Sequence, residues 1–358
     1  MVLIIKIKRK LIAAVLAALL FAALCPEAGA AESDRPDVSA KSAVVVCDGC
    51  TLYNKNADMR LPMASTTKLM TAIIALENCE SEERVEIKGE QCNVEGSSMY
   101  LTPGETYTVR ELVTGLMLVS GNDAALALAE HVAGSVQQFA ALMNEKAVEL
   151  GMNNTHFVNP HGLSDDTHYS SARDLARLML YCMNNPVFAE ITALKSCNIK
   201  GVTLVNHNRL LVSLPDCVGG KTGYTEAAGR CLVSCCERNG TRFVCVTLSA
   251  PNDWNDHAAL YNWAYSRCAM RNVSNDLKFS VPVITGERRW AYLIPETEVE
   301  LFLPTSVAIK LDAELPWFVF APVEQGKKGG KVIVSVDEER VAEYHLIYLD
   351  AVAMKTKS

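Results

Sequence analysis

The pattern of apolar and polar positions changes along the chain, from helical spacing in the middle to alternation near the end. The run from Leu69 to Leu76 is apolar on every face, which is typical of a helix buried in a domain core. Apolar residues recur at helical spacing in later segments, for example at Leu175, Leu178 and Met179. Five further segments are predicted helices: 109–119, 122–133, 135–150, 171–184 and 253–269.

Strand patterns lie on both sides of these helices. Two strand pairs are predicted, 43–47 with 50–53 and 230–237 with 241–248. The dipeptides Asp48-Gly49 and Asn239-Gly240 that join them are typical of two-residue hairpin turns. We therefore predict an α+β domain over residues 31–272, with a sheet built from both ends of the segment and helices between.

The helical period disappears beyond Asn272. Apolar residues alternate there instead: Val299, Leu301 and Leu303; Val332, Val334 and Val336; and Ala342, Tyr344, Leu346 and Tyr348. Glycine and proline interrupt these runs, as they do between strands. The pattern predicts a second, small all-β domain over residues 273–358, within the normal size range of domains.

The N-terminus is typical of a targeting segment. A basic stretch, Lys6 to Lys10, precedes fourteen apolar residues, Leu11 to Leu24, and Ala28-Gly29-Ala30 offers a small-residue cleavage site. Together these features predict a secretory signal peptide over residues 1–30. An uncleaved N-terminal anchor is the alternative. We expect an exported protein that acts outside the cytoplasm, at the cell wall or the outer face of the membrane.

Composition places the chain among globular proteins, with 49% hydrophobic and 21% charged residues. The formal net charge is −7, and because the first thirty residues carry +3, the rest of the chain carries −10. An acidic chain without a basic stripe argues against nucleic acid as a partner.

Cysteine use leaves alternatives open. Twelve cysteines follow Ala30, and most lie in apolar runs, where a free thiol packs as a small hydrophobe. Cys47 and Cys50 flank a hairpin turn, so they are expected to face each other, as a disulfide or as half a zinc site. No second Cys-x-x-Cys accompanies them, so zinc is the weakest of these interpretations. We expect mostly free, buried thiols, no metal and no cofactor.

Ser65 and Lys68 stand three residues apart at the start of the buried helix, and this spacing puts both side chains on one face. A serine hydroxyl needs a base to act as a nucleophile, and a lysine can serve if burial lowers its pKa. A capping serine followed by a solvated lysine is the structural alternative. The pair alone is a weak signal.

Two other motifs strengthen it. Ser120-Gly121-Asn122 falls at the junction of two predicted helices and supplies a hydroxyl and an amide. Lys221-Thr222-Gly223 supplies a cation, a hydroxyl and a glycine that allows close backbone approach at the start of a strand. Each motif also has a purely structural interpretation. The first would be a capped helix break, and the second an edge strand with a solvated lysine. In this order the three motifs form a joint signature of penicillin-binding proteins and class A β-lactamases.

The chain resembles the D-alanyl-D-alanine carboxypeptidases, the low-molecular-mass penicillin-binding proteins. The resemblance covers about residues 40 to 270 and extends beyond the trio to the segments 64–72, 114–125, 143–152 and 157–163. It implies a penicillin-binding, β-lactamase-like catalytic domain, an antiparallel sheet with a helical cluster, followed by a β-rich domain. It also implies two partners, a peptidoglycan stem peptide that ends in D-Ala-D-Ala and β-lactam antibiotics.

The resemblance assigns roles to the motif residues. Ser65 attacks the carbonyl of the penultimate D-alanine, Lys68 takes its proton, and Ser120 with Lys221 relays protons to the leaving amine. Asn122 holds the peptide amide and Thr222 the terminal carboxylate. The backbone N–H groups of Ser65 and of Tyr224, which follows Gly223, form the oxyanion hole. His161, His168, His207 and the other histidines are expected to be structural.

The chain departs from the family pattern at two places. Related enzymes have a carboxylate-binding arginine after the strand that follows the Lys-Thr-Gly motif, but this region reads Ala250-Pro251-Asn252-Asp253. Carboxylate binding is then expected from Thr222 and Lys221. The last residues, 351–358, are too short for the amphipathic membrane helix of many relatives, so membrane attachment after signal cleavage is unsupported.

Two rival functions follow from the same motifs. A β-lactamase deacylates quickly, usually through a Glu-x-x-x-Asn loop, but Glu190 has no asparagine at that spacing. A non-catalytic wall-binding or β-lactam-sensing module is the other rival, and it would be expected to have lost part of the trio. The complete trio favours the carboxypeptidase.

Overall fold

The computed structural model describes residues 34–274, 277–336 and 339–356. The predicted signal peptide lies outside these residues. Helices within them are α1 Lys68–Asn78, α2 Val109–Leu118, α3 Asn122–Ala133, α4 Val136–Glu149, α5 Ala172–Cys182, α6 Pro186–Ala193, α7 Leu210–Ser213 and α8 Asp253–Ser266. Short 3-10 helices span Ala64–Thr67 and Gly89–Cys92. No helix in this part of the chain is long and apolar enough to cross a membrane.

Within the same residues, the strands fall into a central sheet, a larger C-terminal sheet and three two-stranded ribbons. Their bounds are β1 Ser42–Cys47, β2 Cys50–Lys55, β3 Arg84–Glu86, β4 Thr106–Thr108, β5 Ser196–Ile199, β6 Val202–Val205, β7 Cys217–Thr225, β8 Gly229–Arg238, β9 Thr241–Leu248, β10 Cys268–Asn272, β11 Phe279–Ile284, β12 Trp290–Pro295, β13 Glu300–Pro304, β14 Ile309–Glu314, β15 Val319–Phe320, β16 Lys328–Val336 and β17 Glu339–Tyr348.

The central sheet is antiparallel, in the order β2-β1-β9-β8-β7. Both predicted hairpins are confirmed. Asp48 and Gly49 have φ of 41° and 90°, and Asn239 and Gly240 have φ of 51° and 75°, as two-residue turns of a twisted hairpin require. Because β1 and β2 come from the start of the domain and β7 to β9 from its end, the sheet brings both ends together, as the sequence predicted.

Helix α1 is buried, as its apolar pattern predicted. Its residues from Lys68 to Ala75 are all buried, and it packs against α2, α3 and α5. The predicted helix 253–269 ends earlier, at Ser266, because the chain then turns into strand β10 and pairs with β13. The fold class is α+β.

The twelve cysteines among the described residues are free thiols and seven of them are buried, as expected. Cys235 and Cys245 are buried in the core without a disulfide, where they pack as small hydrophobes. Cys47 faces Cys50 across the first hairpin, as the turn predicted. At the opposite edge of the sheet, Cys217 of β7 is the register partner of Cys236 on β8.

The C-terminal residues build a six-stranded sheet in the order β14-β16-β17-β12-β11-β15, with its own apolar cluster around Leu293, Val332 and Leu346. The division at residues 272 and 273 remains our proposal. One element crosses it, since β13 pairs with β10 and brings Phe302 against Phe243 of the central sheet, with ring centroids 6.0 Å apart.

We expect a fragment that ends at Asn272 to fold but to melt at a lower temperature than the full chain, because it lacks β13 and the buried ring of Phe302. In the full chain, Phe302→Ala is expected to cost about 3–5 kcal/mol of stability, measured by chemical unfolding. Phe320→Ala is the matched control, since that ring is 64% exposed. An insoluble fragment would contradict the proposed boundary.

Candidate active site

Ser65 lies in the 3-10 turn that leads directly into α1, and Lys68 is the first residue of that helix. The Lys68 Nζ atom is 2.9 Å from Ser65 Oγ, 2.7 Å from Asn122 Oδ1 and 2.5 Å from the carbonyl oxygen of His161. The ammonium form donates to all three acceptors. In the neutral form, two N–H groups serve Asn122 and His161, which leaves the lone pair for the Ser65 hydroxyl.

Burial holds the pKa of Lys68 well below its ordinary value, and the nearby positive charge of Lys221 lowers it further. The carboxylate of Asp123 opposes this shift. Because the Lys68 side chain is fully buried, its charged form loses hydration that three hydrogen bonds only partly replace. The site therefore favours a neutral amine beside the serine, which is the requirement for a general base.

Hydrogen bonds on the side of the turn away from the cleft hold Ser65 in place. Ala64 has a left-handed backbone, φ +48°, and its carbonyl oxygen accepts from Thr67 Oγ1 at 2.8 Å. Thr67 Oγ1 is 2.7 Å from His168 Nε2, and His168 Nδ1 accepts from the Val158 N–H at 3.1 Å. Since Nδ1 accepts, the proton of the neutral ring is on Nε2 and is donated to Thr67.

Burial lowers the pKa of His168 to about 4, so the ring stays neutral near pH 7 and serves as a structural support. Gly162 packs against the same turn, and a Cβ there would lie only 2.0 Å from the Ala64 carbonyl oxygen. A glycine is therefore required at this point, where the loop that carries His161 closes onto the serine turn.

Ser120 and Asn122 stand at the junction of α2 and α3, as predicted. Gly121 is the N-cap of α3, and no side chain caps this helix. The structural alternative, a helix break capped by Ser120 and Asn122, is therefore wrong. Ser120 has a left-handed backbone, φ +63°, and its buried Oγ has no hydrogen-bond partner among the described residues.

Asn122 is held by two contacts. Its Oδ1 accepts from Lys68, and its Nδ2 donates to the Glu95 carbonyl oxygen at 2.5 Å. The neighbouring carboxylate of Asp123 accepts from the backbone N–H groups of Met99 and Leu101. This buried carboxylate fixes the loop before β4, which contains Met99 and Leu101, against the start of α3.

Strand β7 forms the outer edge of the central sheet and carries Lys221, Thr222, Gly223 and Tyr224 in its interior, not at its start as predicted. Lys221 is buried, and burial lowers its pKa to about 7. A Cβ on Gly223 would lie 3.0 Å from the Ser65 nitrogen, so the glycine lets the strand backbone approach the serine turn, as predicted.

These elements enclose one cleft of about 1360 Å³, lined among others by Ser65, Ser120, Thr222 and Tyr224. The structure thus brings the three predicted motifs together. Glu190, the carboxylate considered for a β-lactamase, lies on α6, is exposed and pairs with Arg110. It does not line the cleft.

Two contributions to the site were missed from the sequence. The backbone carbonyl of His161 holds Lys68, which no side-chain motif indicates, while burial lowers the pKa of the His161 ring to about 3 and keeps it neutral. Arg230 lines the cleft beside Thr222 and Tyr224. It is the register partner of Tyr224, across from β7 on β8.

Arg230 is oriented by the segment in which the family arginine is missing. Its Nε donates to the Asp253 carboxylate at 2.9 Å, and its guanidinium lies 5.7 Å from the Trp254 ring centroid. Asp253 itself is buried. The cleft therefore has a positioned cation on β8, which pairs with the strand of Thr222, although it does not come from the segment after β9 where the resemblance places an arginine.

Comparison with known proteins agrees with this site. Residues 29–252 match the D-alanyl-D-alanine carboxypeptidase family, peptidase family S11. The chain is 32% identical to D-alanyl-D-alanine carboxypeptidase DacF of Bacillus subtilis over 324 residues, 85% of this chain and 83% of that protein.

Solved structures show the same architecture. Penicillin binding protein 5 of Haemophilus influenzae superposes with a TM-score of 0.66 at 27% identity, over 89% of this chain and 99% of that one. A peptidoglycan synthesis regulatory factor (PBP3) of Streptococcus pneumoniae superposes with a TM-score of 0.75 at 25% identity, over 88% and 100%.

The α+β fold and the cleft define a serine hydrolase of the penicillin-binding class. The chain belongs to the D-alanyl-D-alanine carboxypeptidase family, and it is a serine-type D-Ala-D-Ala carboxypeptidase.

Proposed function

We propose that this carboxypeptidase is exported and removes the terminal D-alanine from peptidoglycan pentapeptides through an acyl-enzyme on Ser65. The observation that carries the assignment is the contact of Ser65 Oγ with a fully buried lysine amine, 2.9 Å away. Release of D-alanine from a pentapeptide ending in D-Ala-D-Ala tests it, and a peptide ending in L-Ala-L-Ala is the control.

Acylation begins when Lys68 Nζ takes the hydroxyl proton and Ser65 Oγ attacks the carbonyl carbon of the penultimate residue. The N–H groups of Ser65 and Tyr224 receive the developing oxyanion. The close approach of β7 at Gly223 supports this assignment, because it places the strand backbone beside the Ser65 nitrogen. Asn122 holds the peptide amide.

The tetrahedral intermediate collapses when the leaving nitrogen is protonated. Ser120 Oγ is suited to this transfer because it is buried, lacks a competing partner among the described residues and lines the cleft. Lys221, with a pKa of about 7, can supply the proton that reaches the amine through Ser120. Water then hydrolyses the ester on Ser65, giving its hydroxyl to the acyl carbon and a proton to Ser65 Oγ. The proton that Lys68 took replaces the one that Lys221 released, which restores the enzyme.

The β-lactam ring presents an amide of the same kind, so penicillins acylate Ser65. Asp253 is the one carboxylate among the described residues that line the cleft, and it is bound to Arg230. That part of the cleft therefore offers no unpaired carboxylate of the kind that a β-lactamase uses for deacylation, which supports a carboxypeptidase over a β-lactamase. Steady-state hydrolysis of a chromogenic cephalosporin separates the two.

The substrate of a carboxypeptidase ends in a carboxylate, and we propose that Arg230 binds it together with Thr222. Residues 222, 224 and 230 point to one side of the β7–β8 pair, since partners and alternate residues share a face. Asp253 and Trp254 restrict the guanidinium, which lowers the entropy lost on binding. Arg209 also lines the cleft but is exposed.

Arg230→Gln is therefore expected to lower kcat/KM for a D-Ala-D-Ala peptide roughly tenfold to a hundredfold, mostly through KM, since a charged hydrogen bond contributes about 1.5–3 kcal/mol. Initial rates measure this. A peptide amidated at its C-terminus should be cleaved equally by both proteins. Arg209→Gln is the matched control, and a loss confined to that variant would move the carboxylate site to Arg209.

A further inference from the structure

Three side chains with metal-binding atoms converge away from the cleft, where the C-terminal ends of α1 and α3 meet. Cys79 is the C-cap of α1, His131 lies in the last turn of α3, and Glu83 precedes β3. The cysteine sulfur, one ring nitrogen and one carboxylate oxygen all lie within 4.8 Å of one another. His131 Nε2 is 2.8 Å from Glu83 Oε1.

The backbone holds these positions. The Cys79 N–H donates to the Ala75 carbonyl oxygen at 3.1 Å and closes helix α1. The loop after it is pinned at both sides, since the N–H groups of Val109 and Arg110 donate to the carbonyl oxygens of Glu83 and Ser81, each at 2.9 Å. The three side chains therefore project from fixed backbone, which reduces the ordering that ligand binding requires.

The donor set has a clear preference. A thiolate, an imidazole nitrogen and a carboxylate oxygen are the ligands that zinc binds in proteins, whereas magnesium and calcium prefer oxygen alone. A second, independent feature points the same way. Cys79 is the C-cap of α1 and His131 lies in the last turn of α3, and the C-terminal end of a helix carries partial negative charge that favours a cation.

We infer that Cys79, Glu83 and His131 bind one zinc ion, with water as the fourth ligand. On binding, the metal takes the place of the proton shared by His131 Nε2 and Glu83, and the ring proton moves to Nδ1. The Cys79 thiol loses its proton to solvent. The charge of the ion is then balanced by one thiolate and one carboxylate.

The location gives this ion a structural role. Helix α1 carries Lys68 at its other end, and α3 carries Asn122 at its other end. These two side chains meet in the cleft at 2.7 Å. An ion that ties the distal ends of both helices together fixes their packing without touching the substrate, and it stabilises the folded chain by mass action.

The test uses the full chain, reduced and freed of metal by chelation. Zinc is titrated in competition with a chromogenic chelator, and bound zinc is counted after gel filtration. We expect one ion per chain and a higher melting temperature with zinc. Cys79→Ser and His131→Gln should each weaken binding at least a hundredfold and abolish the thermal shift. Cys197→Ser is the matched control, another partly buried cysteine on a separate ribbon.

Cobalt gives a second readout. A thiolate-to-cobalt absorption band should appear in the wild type and in Cys197→Ser, and it should be missing from Cys79→Ser. Glu83→Gln, which removes only a charge, keeps the test informative if a cysteine variant fails to fold by circular dichroism. Zinc binding that survives Cys79→Ser and Glu83→Gln, binding lost in Cys197→Ser, or no stoichiometric zinc at all would overturn the inference.

Discussion

Ser65→Ala is expected to abolish covalent labelling by a fluorescent penicillin and to reduce D-alanine release by at least about a thousandfold, roughly 4 kcal/mol of barrier. The reason is that the hydroxyl beside Lys68 is the proposed nucleophile, and the methyl group that replaces it cannot form the ester. The fold should be unaffected, because the Ser65 side chain is only partly buried and the turn is held by Ala64, Thr67 and His168.

Ser97→Ala is the matched control for this experiment. Ser97 also lines the cleft, but its backbone carbonyl, which accepts from the Asn122 N–H at 2.7 Å, is its contact with the motif residues. Labelling should continue in this variant at close to the wild-type rate. Labelling of Ser65→Ala at the wild-type rate, with mass spectrometry placing the adduct on another residue, would show that Ser65 is not the nucleophile.

The motif residues could be found from the sequence because each short motif fixes local geometry. The three-residue spacing of Ser65 and Lys68 places them on one helical face, and Asn122 opens the next apolar helix. What brings these pieces together is long-range packing, which the periodicity of one segment does not contain. The resemblance to a known family supplied that step.

The role of Arg230 illustrates the limit. Its position beside Tyr224 depends on the register of β7 and β8, and its orientation depends on Asp253, which is 23 residues away in the chain. The resemblance to the family predicts an arginine only after β9. A register derived from the Lys-Thr-Gly strand and the turn at Gly229 could have pointed to it.

One helix that was not predicted has a clear start signal in the local sequence. Helix α6 begins at Pro186 after Asn185, whose side chain accepts from the N–H groups of Val187 and Phe188. An asparagine cap followed by proline is a start signal that apolar periodicity alone does not use. The zinc ligands had no such signal, because Cys79, Glu83 and His131 come from three separate elements and form no spaced motif.

The two buried lysines explain how one cleft handles opposite proton transfers. Burial lowers the pKa of both side chains, and the charge of Lys221 lowers the pKa of Lys68 further. The shift makes the neutral form of Lys68, which can accept a proton, more accessible, while Lys221 with a pKa of about 7 still holds its proton in part of the molecules near pH 7. Since both pKa values are lower in the folded state, this arrangement costs stability at neutral pH, and the cost diminishes as the pH rises toward the ordinary lysine range.

Lys68→Arg is expected to retain positive charge and lose acylation, because a guanidinium with a pKa above about 12 cannot release a proton to become a base. Lys68→Met tests the same point from the other side, with a neutral chain of similar length that suits a buried site but carries no lone pair on nitrogen. Stopped-flow acylation by a fluorescent penicillin measures both variants.

The pH dependence separates the base from a merely structural lysine. In the wild type, the acylation rate should fall as the pH drops through the lowered pKa of Lys68, because the neutral amine is then lost. In Lys68→Arg, raising the pH should restore nothing. If Lys68→Arg or Lys68→Met, folded by circular dichroism, acylates within tenfold of wild type, about 1.4 kcal/mol of barrier, Lys68 is not the base.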